Sequence, residues 1–449
     1  MNTINKNNRL KSITWPIFVE SLLFSLLGGL DTLMLGKYSD LAVASVGIAN
    51  QLIWMINLMF GIITAGTAIL LAQHIGAKSE EKTILQVCGI SIGVNFIIGV
   101  VISLVVSIFS VSLFNMLNAS SELIGVGTSY MNIVGGTIFT QAILMTFTAI
   151  LRSYGLTRVC MNVTLVMNIV NVVCNYALIF GKFGMPELGA SGAALGTVIS
   201  RIVALIILGL QVYKLILNKF KFSVLKPFPF EHLRNILKIG IPSAAEQISY
   251  SASQLVITAF INMISIDSMS AKSYLTTIAS FAFIFSVALG QGASILIGQM
   301  IGKRENDKAY NLCIYCLKRA VVVAIAISAS VALFRNGIMG LITNNEDIIK
   351  IASSVLLIEI FLEPGRAINI VGINALRATG DVKFPVYIGV FSMWIFGVGT
   401  AYILGVQLGL GLPGIWIGFA LDEWFRAILV LIRWKKRSWE GRSFALAEF

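Results

Sequence analysis

Residues 83–121 read TILQVCGISIGVNFIIGVVISLVVSIFSVSLFNMLNASS, a run that contains no Asp, Glu, Lys or Arg. A helix needs about 20 apolar residues to cross the hydrocarbon core of a bilayer, so this run is long enough for a membrane span. The whole chain of 449 residues has the same character, with 57% hydrophobic and only 12% charged residues. Because a soluble domain has about 25% charged residues, this composition excludes a soluble fold.

Further apolar runs bring the predicted number of spans to twelve, and a repeat shows how they are grouped. Pro16-Ile-Phe-Val-Glu20 recurs 226 positions later as Pro242-Ser-Ala-Ala-Glu246, and Leu151-Arg-Ser-Tyr-Gly155 recurs 225 positions later as Leu376-Arg-Ala-Thr-Gly380. Each copy holds six spans, an even number, so the two copies share one orientation. The predicted fold class is an all-α polytopic membrane protein with twelve transmembrane helices, arranged as two six-helix bundles related by a pseudo-twofold axis along the membrane normal.

The repeat and the basic loop between its copies predict the domain boundaries. An N-terminal six-helix lobe covers 1–217, a cytoplasmic amphipathic linker 218–238, a C-terminal six-helix lobe 239–434 and a cytoplasmic tail 435–449. Of the 33 Lys and Arg residues, 25 fall at the termini and in every second loop, whereas the intervening loops hold five. The positive-inside rule therefore predicts that both termini are cytoplasmic. The net charge of +12 reflects this topology, so no nucleic-acid partner is expected.

Ionisable side chains inside predicted spans are the first candidates for function, because a charge at membrane depth costs at least ~2.5 kcal/mol. Asp31 lies on the first span with no basic residue near it in sequence. On the fifth span Asn168, Asn171 and Asn175 are spaced to share one helical face. Thr197 on the sixth span adds a hydroxyl. A carboxylate with neutral oxygens suits Na⁺ or a proton, and the alternative is a polar seam of interhelical hydrogen bonds.

Five more ionisable residues lie in the spans as secondary or second-lobe candidates. Glu20 and Glu246 occupy the same repeat position, each four residues after a proline. The tenth span has Glu359, Glu363 and Arg366 at spacings of four and three. Two interpretations stay open for this group: an internal ion pair, or an arginine that modulates a functional acid.

Sequence motifs for catalysis are missing. The chain contains no nucleotide-binding Gly-x-x-x-x-Gly-Lys-Ser/Thr loop, no His-Glu-x-x-His and no Gly-x-Ser-x-Gly. Cys313-x-x-Cys316 has no second cysteine pair beside it, so a zinc site is not expected. The sequence thus predicts a protein that is not an enzyme, has no cofactor and binds no metal beyond a possible Na⁺.

Several longer motifs occur at regular places in the twelve predicted spans. They are Leu30-Asp-Thr-Leu-Met-Leu-Gly36, Ala44-Ser-Val-Gly-Ile-Ala-Asn-Gln51, Leu188-Gly-Ala-Ser-Gly-Ala-Ala194, Gly290-Gln-Gly-Ala-Ser-Ile-Leu-Ile-Gly-Gln299 and Leu376-Arg-Ala-Thr-Gly-Asp381. With these motifs the chain resembles, over nearly its whole length, the multidrug and toxic compound extrusion (MATE) transporters. The resemblance implies a secondary active multidrug efflux antiporter that exports organic cations or amphipathic drugs in exchange for Na⁺ or H⁺. It also implies a location in the plasma membrane of a prokaryote, and we expect a monomer.

The resemblance assigns roles to individual residues of the first lobe. Asp31 matches the acidic residue of the first span in the family, and Asn171, Asn175 and Thr197 match its cation partners. The DinF-like branch usually has an aspartate where Asn175 stands, so the resemblance is to the NorM-like branch.

In the second lobe the resemblance is less complete. Glu246 matches the glutamate of the seventh span. Arg366 stands where NorM-like members have an acid, and Glu363, one turn earlier, is the expected substitute. The expected second-lobe cation or substrate ligands are therefore Glu246 and Glu363.

The alternative function is a flippase for a lipid-linked glycan or another lipid. Such a protein shares a two-lobed architecture and requires a strongly basic cavity for pyrophosphate. Only Arg201, Arg366 and Arg426 lie within the predicted spans, so the efflux antiporter is the preferred hypothesis.

Overall fold

Fourteen α-helices make up most of residues 3–445, the part of the chain that the computed structural model describes. The residues fall into two compact units, Met1–Gly240 and Ile241–Phe449. Each unit contains one copy of the repeat. Four residues of the predicted tail, 446–449, lie outside the described part.

The first unit contains six membrane-spanning elements. Two of its helices, α4 and α5, are bent by 47° relative to each other and together form one broken span. The helices are α1 (Thr3–Gly36), α2 (Asp40–Ala77), α3 (Glu81–Met116), α4 (Ser121–Gly136), α5 (Phe139–Ser153), α6 (Thr157–Ile179) and α7 (Gly189–Leu215).

The second unit also contains six spanning elements. Its fifth span continues beyond α13 as two π-helical segments, Met393–Gly399 and Ala401–Gln407. The helices are α8 (Phe230–Ile264), which begins in the first unit, α9 (Ile266–Gly302), α10 (Asn306–Leu333), the short α11 (Arg335–Ile342), α12 (Glu346–Thr379), α13 (Lys383–Ser392) and α14 (Gly411–Lys435).

Nine of the twelve elements pass a simple test of length and apolarity, when the α4–α5 pair is counted as one. The other three, α8, α12 and α14, have 35, 34 and 25 residues, which is enough to cross ~30 Å at about 1.5 Å per residue. All three contain acidic residues within their length. The protein is therefore an all-α polytopic membrane protein with twelve spans in two six-helix bundles, as predicted.

The predicted linker 218–238 packs against the first unit. The ring of Phe220 lies where a Cβ on Gly89 would stand, with Cε2 only 2.6 Å from that position. The backbone oxygen of Ile236, near the start of α8, comes even closer to Gly66, because it lies 2.3 Å from the point that a Cβ on this glycine would occupy. A side chain at either glycine would separate the linker from the bundle.

Two glycine pairs four residues apart, Gly192 with Gly196 and Gly414 with Gly418, allow close helix packing. A Cβ on Gly192 would lie 2.4 Å from the backbone oxygen of Leu178 on α6. In the second unit, a Cβ on Gly414 would lie 2.7 Å from the carbonyl carbon of Leu404. Because backbone atoms cannot move aside, both sites require glycine.

The tail that follows α14 folds back onto the second unit. Trp434 and Trp439 stack with ring centroids 4.6 Å apart, and each is at most 1% exposed. Asp381, in the turn between α12 and α13, pairs with Arg433 Nε at 2.8 Å and with Arg442 Nη1 at 3.3 Å. These contacts fix the tail to the end of α12.

Candidate functional site

A line of polar contacts joins α1 to α6 in the first unit. The amide of Asn168 donates to the backbone oxygen of Leu23 at 2.9 Å, and Thr164 Oγ1 donates to Glu20 Oε1 at 3.3 Å. This is the polar seam that the spacing of the asparagines indicates. Asp31 lies at one end of it.

The Asp31 carboxylate is held by an amide. Asn175 Nδ2 donates to Asp31 Oδ1 at 2.7 Å and also to Asn171 Oδ1 at 3.0 Å. Asn171 is 1% exposed and Asn175 is fully buried, whereas Asp31 is half-buried. The structure therefore brings together three of the four residues predicted for the first-lobe site.

The other end of the Asn175 amide faces α7. Its Oδ1 is buried and has no hydrogen-bond partner among the described residues. A Cβ on Gly196 would lie 2.2 Å from this oxygen, so the glycine leaves the space that the amide occupies. A buried amide oxygen without a hydrogen-bond donor costs free energy. A donor or a cation at Asn175 Oδ1 would remove this cost.

Thr197, the fourth predicted residue, has a different partner. Its side chain interacts with Tyr130 on α4, and no described hydrogen bond joins it to Asp31. Arg201, one turn further along α7, acts electrostatically on both Tyr130 and Asp31. No ion-pair contact between Asp31 and a described Lys or Arg is present, so the carboxylate charge is only partly compensated.

Each unit contains one glutamate–arginine ion pair at the same place in the repeat. Glu20 Oε2 lies 2.8 Å from Arg152 Nη2 in the first unit. Glu246 Oε2 lies 2.6 Å from Arg377 Nη2 in the second unit. The arginines come from the repeated Leu-Arg motif, which sequence analysis noted without assigning a partner.

This pairing bears on Glu246, which stays a predicted second-lobe ligand. A carboxylate in contact with a guanidinium group already has its charge compensated, and separating a buried pair is costly. Glu20, a secondary candidate, is compensated in the same way. Both glutamates thus form the same kind of ion pair at the same place in the two copies of the repeat.

A cavity of about 430 Å³ lies within the second unit. Its lining combines four acidic and four basic side chains with aromatic rings. The charged lining residues are Glu246, Glu359, Asp422, Glu423, Lys272, Arg366, Arg377 and Arg426.

Two arginines that line this cavity pair with three acids on α12 and α14. Arg366 contacts Glu363 directly and lies 3.7 Å from Glu423 Oε1. Arg426 contacts Asp422 and lies 3.2 Å from the same oxygen of Glu423. The structure thus confirms the internal ion pair on α12 as one interpretation of the Glu363–Arg366 spacing. It also argues against Glu363 as a free cation ligand.

Glu359 is the acid in this group without an arginine in contact. Its Oε1 accepts a hydrogen bond from Trp416 Nε1 at 2.7 Å. Its Oε2 is buried and receives no hydrogen bond from any donor among residues 3–445. Its carboxyl group interacts electrostatically with that of Glu363.

Comparison with known proteins places these features in a family. The sequence model of the MatE family matches the chain twice, over residues 16–177 and 242–403, in agreement with the internal repeat. The "Uncharacterized transporter YisQ" of Bacillus subtilis (strain 168) is 44% identical over 443 residues, which cover 98% of this chain and 97% of that protein. The "Probable multidrug resistance protein NorM" of Thermotoga maritima is 26% identical over 440 residues, covering 96% and 93% of the two chains.

The fold is also similar to that of solved structures. The Vibrio cholerae MATE transporter VcmN, in the bent form, superposes with a TM-score of 0.89 over 96% of this chain and 97% of its own. The sequences are 19% identical. At this identity the likeness concerns the fold alone.

Proposed function

Because the chain belongs to the MATE family of membrane transporters, we propose that it is a secondary active multidrug efflux antiporter, which exports organic cations or amphipathic drugs in exchange for Na⁺ or H⁺. The relative from Thermotoga maritima named for multidrug resistance supports this substrate class. A location in the plasma membrane of a prokaryote fits the Bacillus relative. The excess of basic residues at the termini and in every second loop supports cytoplasmic termini. We expect the monomer to be the working unit.

The observation that carries the proposal is the Asp31 carboxylate, which contacts an amide and no described arginine or lysine. A proton or Na⁺ that reaches Asp31 removes a partly compensated charge from a membrane-embedded site. Protonation also converts the carboxyl from an acceptor into a donor, so that the unpartnered Oδ1 of Asn175 can turn to accept from it. Cation binding thereby changes the contact between α1 and α6.

That local change is the switch in the proposed cycle. Cation binding favours a conformation with low drug affinity, and a ligand shifts such an equilibrium only through its different affinities for the two states. For an uncharged drug, one charge that moves inward contributes ~2.3 kcal/mol per 100 mV, enough for roughly a 50-fold drug gradient. Exchange of one H⁺ or Na⁺ for one monovalent organic cation moves no net charge, so the concentration gradient of the coupling ion alone drives it.

The second-unit cavity supports an efflux pump over a lipid-linked-glycan flippase. Pyrophosphate recognition calls for an excess of basic groups, whereas the cavity has as many acidic as basic side chains. Its aromatic lining, which includes Tyr250, Phe283 and Phe419, suits organic cations.

The test is efflux of ethidium from proteoliposomes under separately imposed pH and Na⁺ gradients. Wild-type protein should drive efflux with at least one gradient, and Asp31→Asn should abolish the response to that gradient. Asp40→Asn, a matched change at an exposed position at the start of α2, should pump like the wild type. Gradient-driven efflux that survives in Asp31→Asn would show that the carboxylate is not the coupling site. Wild-type transport of a lipid-linked sugar without ethidium efflux would favour the flippase.

A further inference from the structure

We propose that a groove between α1 and α6 binds an anionic phospholipid from the leaflet on the predicted cytoplasmic side. The groove has a volume of about 580 Å³ and lies at the start of α1, whereas Asp31 lies near the end of that helix. It is therefore separate from the site proposed for the coupling cation. Lipid binding in this groove does not depend on the proposed drug transport and is tested without it.

Two helices form the walls of the groove. The wall on α1 consists of residues three and four positions apart, which share one helical face. They are Asn8, Lys11, Ser12 and Trp15. Arg158 and Met161, three residues apart at the start of α6, form the opposite wall. The two helices meet beside the groove, because Thr157 Oγ1 donates to the backbone oxygen of Ser12 at 3.5 Å.

The groove attracts negative charge. Lys11 and Arg158 are exposed, and neither forms an ion pair with an acid in the described part of the chain. None of the described lining residues is acidic. Arg158 lies in the first turn of α6, where the helix dipole adds partial positive charge and no acidic residue offsets it. Ammonium and guanidinium groups bind phosphate through charge-assisted hydrogen bonds, and basic pockets between spans are typical sites for anionic lipid headgroups.

Apolar side chains place the groove at the membrane surface. Trp15 is 62% exposed, and tryptophan is enriched at the level of the lipid headgroups. Its ring centroid lies 5.4 Å from that of Phe18, further along α1. Met161 and Leu165, four residues apart, share a face of α6, and Leu165 is 44% exposed. A phospholipid can place its phosphate between the two bases and its acyl chains along these side chains, which a free phosphate ion would leave uncovered.

The internal repeat shows that helix packing does not require these residues. The offset of 226 leads from Lys11 to Leu237 and from Trp15 to Ile241 in the second copy. Only the base on α6 recurs, as Lys383 at the offset of 225. The combination of two bases with a tryptophan is therefore particular to the first copy. An interaction that every six-helix unit needs does not explain it, whereas a lipid bound at one place does.

Mass spectrometry of the intact full-length protein, released from detergent micelles, tests the proposal because it identifies bound lipids by their mass. The protein is titrated with dioleoyl phosphatidylglycerol and, separately, with dioleoyl phosphatidylcholine, which has the same chains and no net charge. The wild type should bind phosphatidylglycerol more tightly. Each base near a lipid phosphate contributes about 5-fold in affinity. The double variant Lys11→Gln, Arg158→Gln should therefore bind phosphatidylglycerol about 25-fold more weakly and phosphatidylcholine as before.

The matched control is the double variant Lys221→Gln, Lys226→Gln, which removes two exposed bases of the linker on the same predicted side. It should keep the wild-type affinity for phosphatidylglycerol. Equal losses in the two double variants would show a diffuse attraction and overturn the proposal. Inorganic phosphate, added as a competitor at the lipid concentration, should not displace phosphatidylglycerol. Displacement would show that the groove is a site for free phosphate and that the assignment to a phospholipid is wrong.

Discussion

Gly196→Ala should disturb the Asp31 site and leave α7, the helix on which Gly196 lies, intact. The added Cβ would lie 2.2 Å from Asn175 Oδ1, whereas real Cβ atoms essentially never come within 3.0 Å of a heavy atom. Because Asn175 is fully buried, its side chain would have to move away from the new Cβ. Its amide would then lose the alignment of its donor bonds to Asp31 and Asn171.

The size and sign of the effect follow from the lost donor. A hydrogen bond to a charged group contributes ~1.5–3 kcal/mol, which corresponds to a shift of about one to two pH units. The ionised carboxylate loses stabilisation, so protonation becomes easier and the midpoint of proton-driven efflux should move to higher pH. Alanine favours a helix by ~1 kcal/mol over glycine, so α7 itself should not be weakened.

The assay is the pH dependence of ethidium efflux from proteoliposomes, compared with that of Gly209→Ala. Gly209 lies on the same helix, and a Cβ there would meet Phe147 Cε2 at 3.4 Å, an ordinary van der Waals contact. The control should keep the wild-type midpoint. If Gly196→Ala and Gly209→Ala have the same midpoint, the amide does not govern cation binding at Asp31.

Two further predictions concern ion pairs that hold helices and the tail in place. Arg152→Ala leaves Glu20, 2% exposed, without its guanidinium partner, so thermal unfolding should show a large loss of stability, on the order of 3–5 kcal/mol. Arg377→Ala should cost less, because Glu246 borders a cavity that water can enter; equal losses in the two variants would contradict this reasoning. Asp381→Asn removes the ion pair to Arg442 in the tail and the ion pair to Arg433 near the end of α14, so it should speed tryptic cleavage of the tail. Cleavage at the wild-type rate would mean that the stacked tryptophans alone hold the tail.

The number of spans could be predicted because charge-free runs indicate the segments that lie inside the bilayer and basic loops indicate its cytoplasmic side. The run 83–121, for example, becomes α3, Glu81–Met116. The shape of individual spans could not be predicted in this way. The break between α4 and α5 follows Gly135-Gly136, but Gly28-Gly29 lies inside the continuous helix α1, so a glycine pair does not by itself identify a break.

The contacts among Asp31, Asn171 and Asn175 were largely predictable from the sequence, whereas the ion pairs of the second unit were not. Helical spacing puts Asn171 and Asn175 on one face, and a lone carboxylate such as Asp31 calls for polar partners. The contact between Glu246 and Arg377 joins residues on two distant helices. Both motifs recur in the two copies, so the matched recurrence of opposite charges was the available signal for this ion pair.

The internal repeat helps to distinguish residues that hold each six-helix unit together from residues that have another role. The glutamate–arginine pair is present in both copies, which is expected of an interaction that every six-helix unit needs in order to pack. The acid at position 31 has no counterpart in the second copy, where the repeat offset of 226 leads to Ile257, a fully packed core residue. Likewise the offset of 225 leads from Glu359 back to Val134, which is buried in the core of the first unit. Burial of an acid in place of an aliphatic side chain costs free energy. Because each acid is present in only one copy of the repeat, packing does not explain it, and we expect it to have another role. On this reasoning we predict that the acids at positions 31 and 359 each have a role other than packing.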